Sequence, residues 1–421
     1  MIRFKKEDGL NYPDIQEKKL GEIALLSSSK RVYANEYVDV GIPFYRGKEI
    51  SELQSNKEIS DILYISKDKF EELKNKYGAP VKGDILITAV GTLGNTWVVD
   101  NENPFYFKDG NLIWLREIKE DSYYLNYIFN SPKGKKRIID SAIGSNQKAL
   151  TIVKLSELEF SFPCKDEQKK ISDFLSSVDD IIQIQAEEIA ALEEQKKGIM
   201  QKLFNREVRF KADDGSEYPE WDERTFDEIF NVIQNNTFSR DCLNNEIGEV
   251  LNIHYGDVLI KYGAFIDVSK EEVPHINDNI QLNKFDEKSY LRNGDIIIAD
   301  TAEDMTVGKA TEICGAIGKK ILSGLHTIPC RPKVTFVSKY LGYYINSEKY
   351  HNQLVPLIQG IKVSSISKSN ISKTVIIYPC AEEQKKIADY LSTYDEAIQI
   401  KKNKLEVWKE IKKGLLQQMF V

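Results

Sequence analysis

Residues 162–204 and 378–420 of this 421-residue chain are one segment written twice, 216 positions apart and without a gap. Phe162-Pro163-Cys164 aligns with Tyr378-Pro379-Cys380, and Glu167-Gln168-Lys169-Lys170-Ile171 with Glu383-Gln384-Lys385-Lys386-Ile387. A second repeat opens the chain. Arg3-Phe4-Lys5, Asp8-Gly9 and Tyr12-Pro13 return as Arg209-Phe210-Lys211, Asp214-Gly215 and Tyr218-Pro219, 206 positions later. The first copy of the long segment runs into the second copy of the opening motif, so the chain reads as a ring of two equivalent halves cut between Val421 and Met1. A repeat of this kind decides the architecture before any residue-level reasoning begins.

The repeated segment reads as a long helix. Glu167 to Phe204 holds no Pro and one Gly, and Ile171, Leu175, Val178, Ile182, Ile189, Leu192, Ile199 and Leu203 follow alternating steps of four and three. Ile387, Leu391, Tyr394, Ile398, Leu405, Trp408, Leu415 and Met419 keep the same register. Polar residues stand at the two missing beats, Gln185 and Lys196 in one copy, Lys401 and Lys412 in the other. Such a heptad stripe packs against a second helix. At 1.5 Å per residue each helix is about 58 Å long, too long and narrow a stripe to be buried alone. The two copies are each other's natural partner. The ring favours an antiparallel pair, because each globular domain then attaches to the start of one helix and the neighbouring end of the other.

The intervening domains read as mixed and mostly β. Asp84-Ile-Leu-Ile-Thr88 and Asp295-Ile-Ile-Ile-Ala299 are short β-rich runs, each introduced by a Gly-Asp turn. Residues 111–115, 158–162 and 374–378 are further strand candidates, with helical stretches near 122–140 and 337–354. The expected fold is α+β: two mixed, mostly β domains, 1–165 and 206–381, separated by an antiparallel coiled-coil pair, 166–205 and 382–421, in a circular pseudo-two-fold repeat.

Net charge is −7, spread as +1 over 1–165, −4 over 166–204, −5 over 205–381 and +1 over 382–421. A sequence-independent polyanion binder is disfavoured, and any nucleic-acid surface must be local. No apolar run is long enough for a membrane span, and no secretory signal opens the chain. Five scattered cysteines without CxxC spacing suit reduced thiols in a cytoplasmic protein, and four separated histidines supply no metal cluster. No GxxxxGK[ST] loop occurs. Asn103-Pro104-Phe105-Tyr106 lacks the second Pro of the amino-methyltransferase element and reads as a turn. Asp14, Glu17 and Lys18 stand too close together to surround a nuclease metal. No nucleophile and base emerge as a pair, and no catalysis is expected.

Several loops carry groups suited to DNA. Tyr45, Arg46 and Lys48 flank Gly47; Thr92 and Asn95 stand in a small-residue loop; and Ser145, Asn146, Gln147 and Lys148 string together amide, hydroxyl and amine groups. Lys133, Lys135, Lys136 and Arg137 form the densest basic cluster and suit phosphate contact. In the second domain the candidates are His254, Tyr255, Lys309, Lys362 and Ser364.

Together these residues resemble the specificity (S) subunit of type I restriction-modification systems, over essentially the whole chain. The paired Pro-x-x-x-Glu-Gln-Lys-Lys-Ile openings at 163–171 and 379–387 carry most of the likeness. Gly83-Asp84-Ile85-Leu86, Gly91-Thr92-Leu93-Gly94 and Gly144-Ser145-x-Gln147-Lys148-x-Leu150 support it. The second domain departs from the pattern, with Ala302-Glu303-Asp304 and Gly308-Lys309 in the place of the small-residue loop. The resemblance implies a non-catalytic subunit whose two target recognition domains each bind half of a split, asymmetric site in double-stranded DNA. Two methyltransferase subunits, carrying S-adenosylmethionine, would dock on the helices, and restriction subunits using ATP and Mg would join them. No cofactor is expected in this chain itself. A 58 Å helix would cap the separation of the half-site centres near ~17 base pairs. A coiled-coil scaffold joining two proteins, without DNA specificity, is the alternative that the acidic balance favours.

Overall fold

The computed structural model describes residues 3–144, 148–360 and 362–420, and the chain forms two compact units. One comprises Met1–Glu188 with Lys401–Val421, the other Ile189–Ile400.

In the first unit a four-stranded antiparallel sheet runs Leu25–Ser27, Leu112–Arg116, Ile85–Thr88, Thr96–Val98. Every residue of Ile85–Thr88 is buried, as a strand covered on both faces requires. Ile85 and Ile87 join one core with Leu115, Tyr124 and Phe160, while Leu86 faces a second with Ile50, Trp97 and Trp114. Another four-stranded sheet pairs Tyr37–Val38, Leu63–Ile65, Ile42–Tyr45 and Tyr106–Phe107, the last two in parallel. Gln16–Lys19 pairs with Glu159–Phe162. The helical stretch expected near 122–140 is two helices, Ser122–Asn130 and Pro132–Asp140. Ser131 breaks it by capping the Gly134 amide at 3.1 Å ahead of Pro132. A Cβ on Gly134 would lie 1.9 Å from the Ile128 carbonyl oxygen, so that turn tolerates only glycine.

The second unit repeats this plan with one strand more in its main sheet. Its main sheet runs Phe230–Val232, Thr327–Pro332, Ile296–Ala299, Ala310–Cys314, Phe265–Asp267. The added edge strand lies in a connection that spans 261–274, longer than its counterpart at 55–62. A four-stranded sheet follows the first unit's pattern, with Val250–Ile253 parallel to Lys320–Ser323, and Asp222–Thr225 pairs with Val375–Tyr378. The stretch expected near 337–354 is again split, into Tyr340–Ile345 and Glu348–Leu354, with Ser347 capping the second helix.

The repeated segments are helices, Lys165–Phe204 and Ala381–Met419. In the first unit Ile171 and Leu175, from the start of one helix, share a core with Leu416, Met419 and Phe420, from the end of the other. In the second unit Leu203 and Phe204 share a core with Ile387, Ala388 and Leu391. Start meets end both times, so the pair is antiparallel.

Two polar beats of the stripe have a structural explanation. Lys196 Nζ lies 2.5 Å from Asp395 Oδ1 and 5.0 Å from the Tyr343 ring centroid. The Tyr343 hydroxyl donates to the other Asp395 oxygen at 2.5 Å and lies 3.2 Å from Ser392 Oγ. The first unit holds the same four residue types at repeat-equivalent positions. Lys412 pairs with Asp179 at 2.5 Å, and the Tyr127 hydroxyl donates to Asp179 at 2.8 Å beside Ser176. Burial, together with the neighbouring carboxylate, raises the pKa of both tyrosines, so each remains a proton donor. A lysine in an apolar seam is thus the helix-to-helix half of an ion pair, which disfavours a slipped register.

The Glu-Gln-Lys-Lys-Ile motif ties each helix start to its domain. Fully buried Glu167 accepts from Arg3 Nη2 at 2.6 Å, and Glu383 from Arg209 Nη2 at 2.8 Å. Gln168 donates to the Pro163 carbonyl and accepts from the Asp121 amide; Gln384 does the same with Pro379 and Val337. Lys170 and Lys386 reach the carbonyls of Lys5 and Lys211. Phe4 packs edge-on to Phe174, and Phe210 to Tyr390. The opening Arg-Phe-Lys motif exists to clamp this helix start.

Candidate nucleic-acid interface

In the first unit three candidate segments gather around the loop that follows strand Ile85–Thr88. The Ala89 carbonyl accepts from the Leu150 amide, and Val90 bridges to Ala149, so residues 89–90 lie beside residues 149–150. The loop turns back through Gly91 and Gly94, both left-handed at φ +83° and +75°, a conformation that favours glycine. Asn95 Nδ2 donates to Ser51 Oγ at 2.9 Å, fixing the loop to helix Gly47–Gln54. A Cβ on Gly94 would meet Ile138 at 3.3 Å, which places the basic helix Pro132–Asp140 on the other flank.

The second unit builds the same loop pair from different residues. Asp300 takes the place of Ala89, its carbonyl accepting from Ile366, and Thr301–Ala302 pairs with Ser364–Ser365. Gly308 (φ +91°) and Lys309 replace Gly94 and Asn95. Lys309 Nζ donates to the Leu259 carbonyl at 2.7 Å, so an amine ties the loop to helix Tyr255–Ile260 where the first unit uses an amide. Burial lowers the Lys309 pKa.

The candidates divide by what their side chains touch. Tyr45 stacks on Phe105 at 4.8 Å, and Arg46 forks onto buried Glu49 at 2.5 and 3.0 Å. His254 is buried, and its Nδ1 accepts from the Gly256 amide at 3.2 Å, capping its helix. Burial, then the Arg240 charge, lowers its pKa. Tyr45, Arg46, Asn95, His254 and Lys309 are therefore committed to holding the loops in place. Lys48, Thr92, Lys133, Lys136, Arg137, Lys148 and Lys362 are exposed, with Lys135, Tyr255 and Ser364 half-buried. Arg137 reaches the Glu159 carbonyl at 2.7 Å, and Lys48 lies 4.0 Å from Glu52. Ser145, Asn146 and Gln147 lie outside the described residues. Among the described residues no group of three or more His, Cys, Asp or Glu could hold a metal, and no helix is long and apolar enough to cross a membrane.

The internal repeat agrees with an independent comparison. The family model described as the type I restriction modification DNA specificity domain matches residues 12–194 and again 218–410. This chain belongs to that family. A Methanocaldococcus jannaschii protein named as the MjaX specificity subunit of a type I restriction enzyme is 27% identical over 439 residues, covering 99% of this chain and 96% of its own. The MjaVIII specificity subunit of the same organism is 25% identical over 356 residues, covering 79% of this chain and 74% of its own. The crystal structure of an S subunit from M. genitalium shares the fold at a TM-score of 0.56 and 16% identity, covering 100% of this chain and 99% of that one. The recognition-domain pair and the long helices are thus features of a specificity subunit.

One set of side chains at the specificity subunit's second loop pair escaped the sequence reading. The consecutive Asp300 and Thr301 meet His326 there from a separate stretch of the chain. No motif contains them. Only the pairing of the strands brings them together.

Proposed function

We propose that this chain is the DNA-reading subunit of a type I restriction-modification complex, each unit recognising one half of a bipartite, asymmetric site in double-stranded DNA. The observation that carries this reading is the loop pair built twice on one backbone plan with different exposed side chains: Thr92 and Lys148 in the first unit, Glu303 and Lys362 in the second. A shared scaffold with unlike surfaces suits two half-sites of unlike sequence. The exposed lysines of Pro132–Asp140 would meet phosphates, positioning the duplex without reading it. The long helices would set the unread spacer and dock two methyltransferase subunits. Those subunits would supply S-adenosylmethionine, restriction subunits would bring ATP and Mg, and this chain would perform no catalysis.

The test is methylation mapping, at base resolution, of random duplexes incubated with the complex of this chain and its methyltransferase partner. Methylation confined to one split sequence supports the reading. Binding without sequence preference would favour the protein scaffold that the acidic charge suits. The ruler has its own test. Deleting 186–192 and 402–408 removes one heptad from each helix and spares the Lys196–Asp395 and Lys412–Asp179 pairs. Shortening by about 10.5 Å at 1.5 Å per residue should shrink the spacer by about three base pairs. An unaltered spacer would sink the ruler.

A further inference from the structure

The two loop pairs differ most in what stands beside their first residue. In the first unit Ala89 donates its amide to the Asn111 carbonyl; in the second, Asp300 donates to the carbonyl of His326 at 3.1 Å. His326 holds a left-handed backbone at φ +54° with its side chain about half exposed (47%). Its Nδ1 lies 3.3 Å from Thr301 Oγ and 3.4 Å from Asp300 Oδ1, and Thr301 Oγ donates to Asp300 at 2.7 Å. Tyr255 packs edge-on to the ring at 5.3 Å between centroids. With the threonine hydrogen given to the carboxylate, the tautomer that suits both neighbours is the neutral ring with its proton on Nδ1, which leaves Nε2 as the acceptor. Both oxygens lie on the same ring nitrogen, which rules out the relay that activates a hydroxyl nucleophile, where acid and hydroxyl flank opposite nitrogens. What remains is an imidazole braced at Nδ1, half-exposed as a whole and carried on a left-handed backbone. Residues held in such backbone conformations cluster at functional sites.

We propose that His326 is a specificity-determining residue of the second unit, its Nε2 edge contacting a base edge in the duplex, with Asp300 and Thr301 as positioning residues. This rests on the DNA-reading function proposed above. In its neutral form Nε2 is an acceptor, matched to the exocyclic amine of adenine or cytosine in the major groove. The first unit has Ala89, Val90 and Asn111 at the same places and lacks this device, as a domain reading a different half-site would.

The test replaces His326→Asn in the complex with the methyltransferase partner. Asparagine tolerates the left-handed backbone, can present its amide where Nδ1 stood, and is the residue the first unit uses there. The wild type and the variant are compared on a duplex library randomised across both half-sites. Discrimination should fall about tenfold or more at one or two adjacent positions of one half-site, with the other half-site unchanged. Lys136→Ala, an exposed lysine of helix Pro132–Asp140, serves as the contrast, weakening all sequences alike and reducing the salt dependence. An H326N complex as selective as the wild type at every position overturns the inference, and so does a loss spread evenly over all sequences. A wild-type complex with no sequence preference would overturn the DNA-reading function as well, so the two failures are told apart.

Discussion

Lys196 and Asp395 offer the sharpest test of why charged residues interrupt the helix seam. The perturbation is a double-mutant cycle: Lys196→Ala, Asp395→Ala, and both together. The side chains are 16% and 32% exposed, and the carboxylate has a second donor in Tyr343. Opposite charges about 4 Å apart attract by about 4 kcal/mol at an effective dielectric of ~20. Fixing a lysine side chain opposes this by about 1.5–2 kcal/mol, and partial exposure trims it further. The coupling should therefore be about 1.5–2 kcal/mol. The equivalent Lys412–Asp179 pair, at 30% and 29% exposure, should give about 1 kcal/mol. A chain of two units need not unfold in one step, so the readout is native-state hydrogen exchange, in helix Tyr340–Ile345 and residues 385–400 for the Lys196 cycle and in helix Ser122–Asn130 and residues 169–184 for the Lys412 cycle. Each 1.4 kcal/mol appears there as about tenfold faster exchange. A coupling below about 0.5 kcal/mol in the Lys196 cycle would show the pair to be decoration. Equal coupling in both units would refute the argument from burial.

Three further outcomes follow from the same structure. Arg209→Ala strands the fully buried Glu383 carboxylate, to which Trp221 Nε1 still donates, and should destabilise the second unit by about 3–5 kcal/mol; Arg3→Ala, at a more exposed pair, should cost less, both measured by native-state hydrogen exchange in the unit concerned. Burial pushes the Glu312 carboxyl up to about 7, so the folded unit holds this proton more tightly than the unfolded chain. Its contribution to stability is present at low pH and is lost as pH rises from about 4.5 through about 7; Glu312→Gln should flatten that slope, seen in urea midpoints between pH 5 and 8. A Cβ on Gly198 or Gly414 would meet nothing within 4 Å, so Gly→Ala at either should stabilise its helix by about 0.5–1 kcal/mol, whereas Gly134→Ala should destabilise by more than 2 kcal/mol as its Cβ meets a carbonyl; thermal unfolding separates the two classes.

Periodicity made the long helices legible, because every beat of the stripe lies on one face and that face is buried or half-buried in the folded chain. The strands 85–88 and 296–299 were equally plain from their apolar runs and Gly-Asp turns, whose Asp84 and Asp295 cap the turn amides of Val81 and Arg292. The candidate residues were less legible. Arg46 and His254 have the chemistry of DNA contacts, yet one pairs with Glu49 and the other caps a helix, and composition does not distinguish a cation facing a phosphate from one facing Glu49.

The repeat alone determined that two like domains alternate with two like helices, since equal sequences under equal constraints fold alike. Only the tertiary structure decided which polar residues became partners. Lys196 meets Asp395 across 199 positions, and His326 meets Asp300 through a strand pairing that no local pattern announces. Side-chain partnership depends on distances through space, and a linear pattern encodes only those that recur with the period of a helix or a strand.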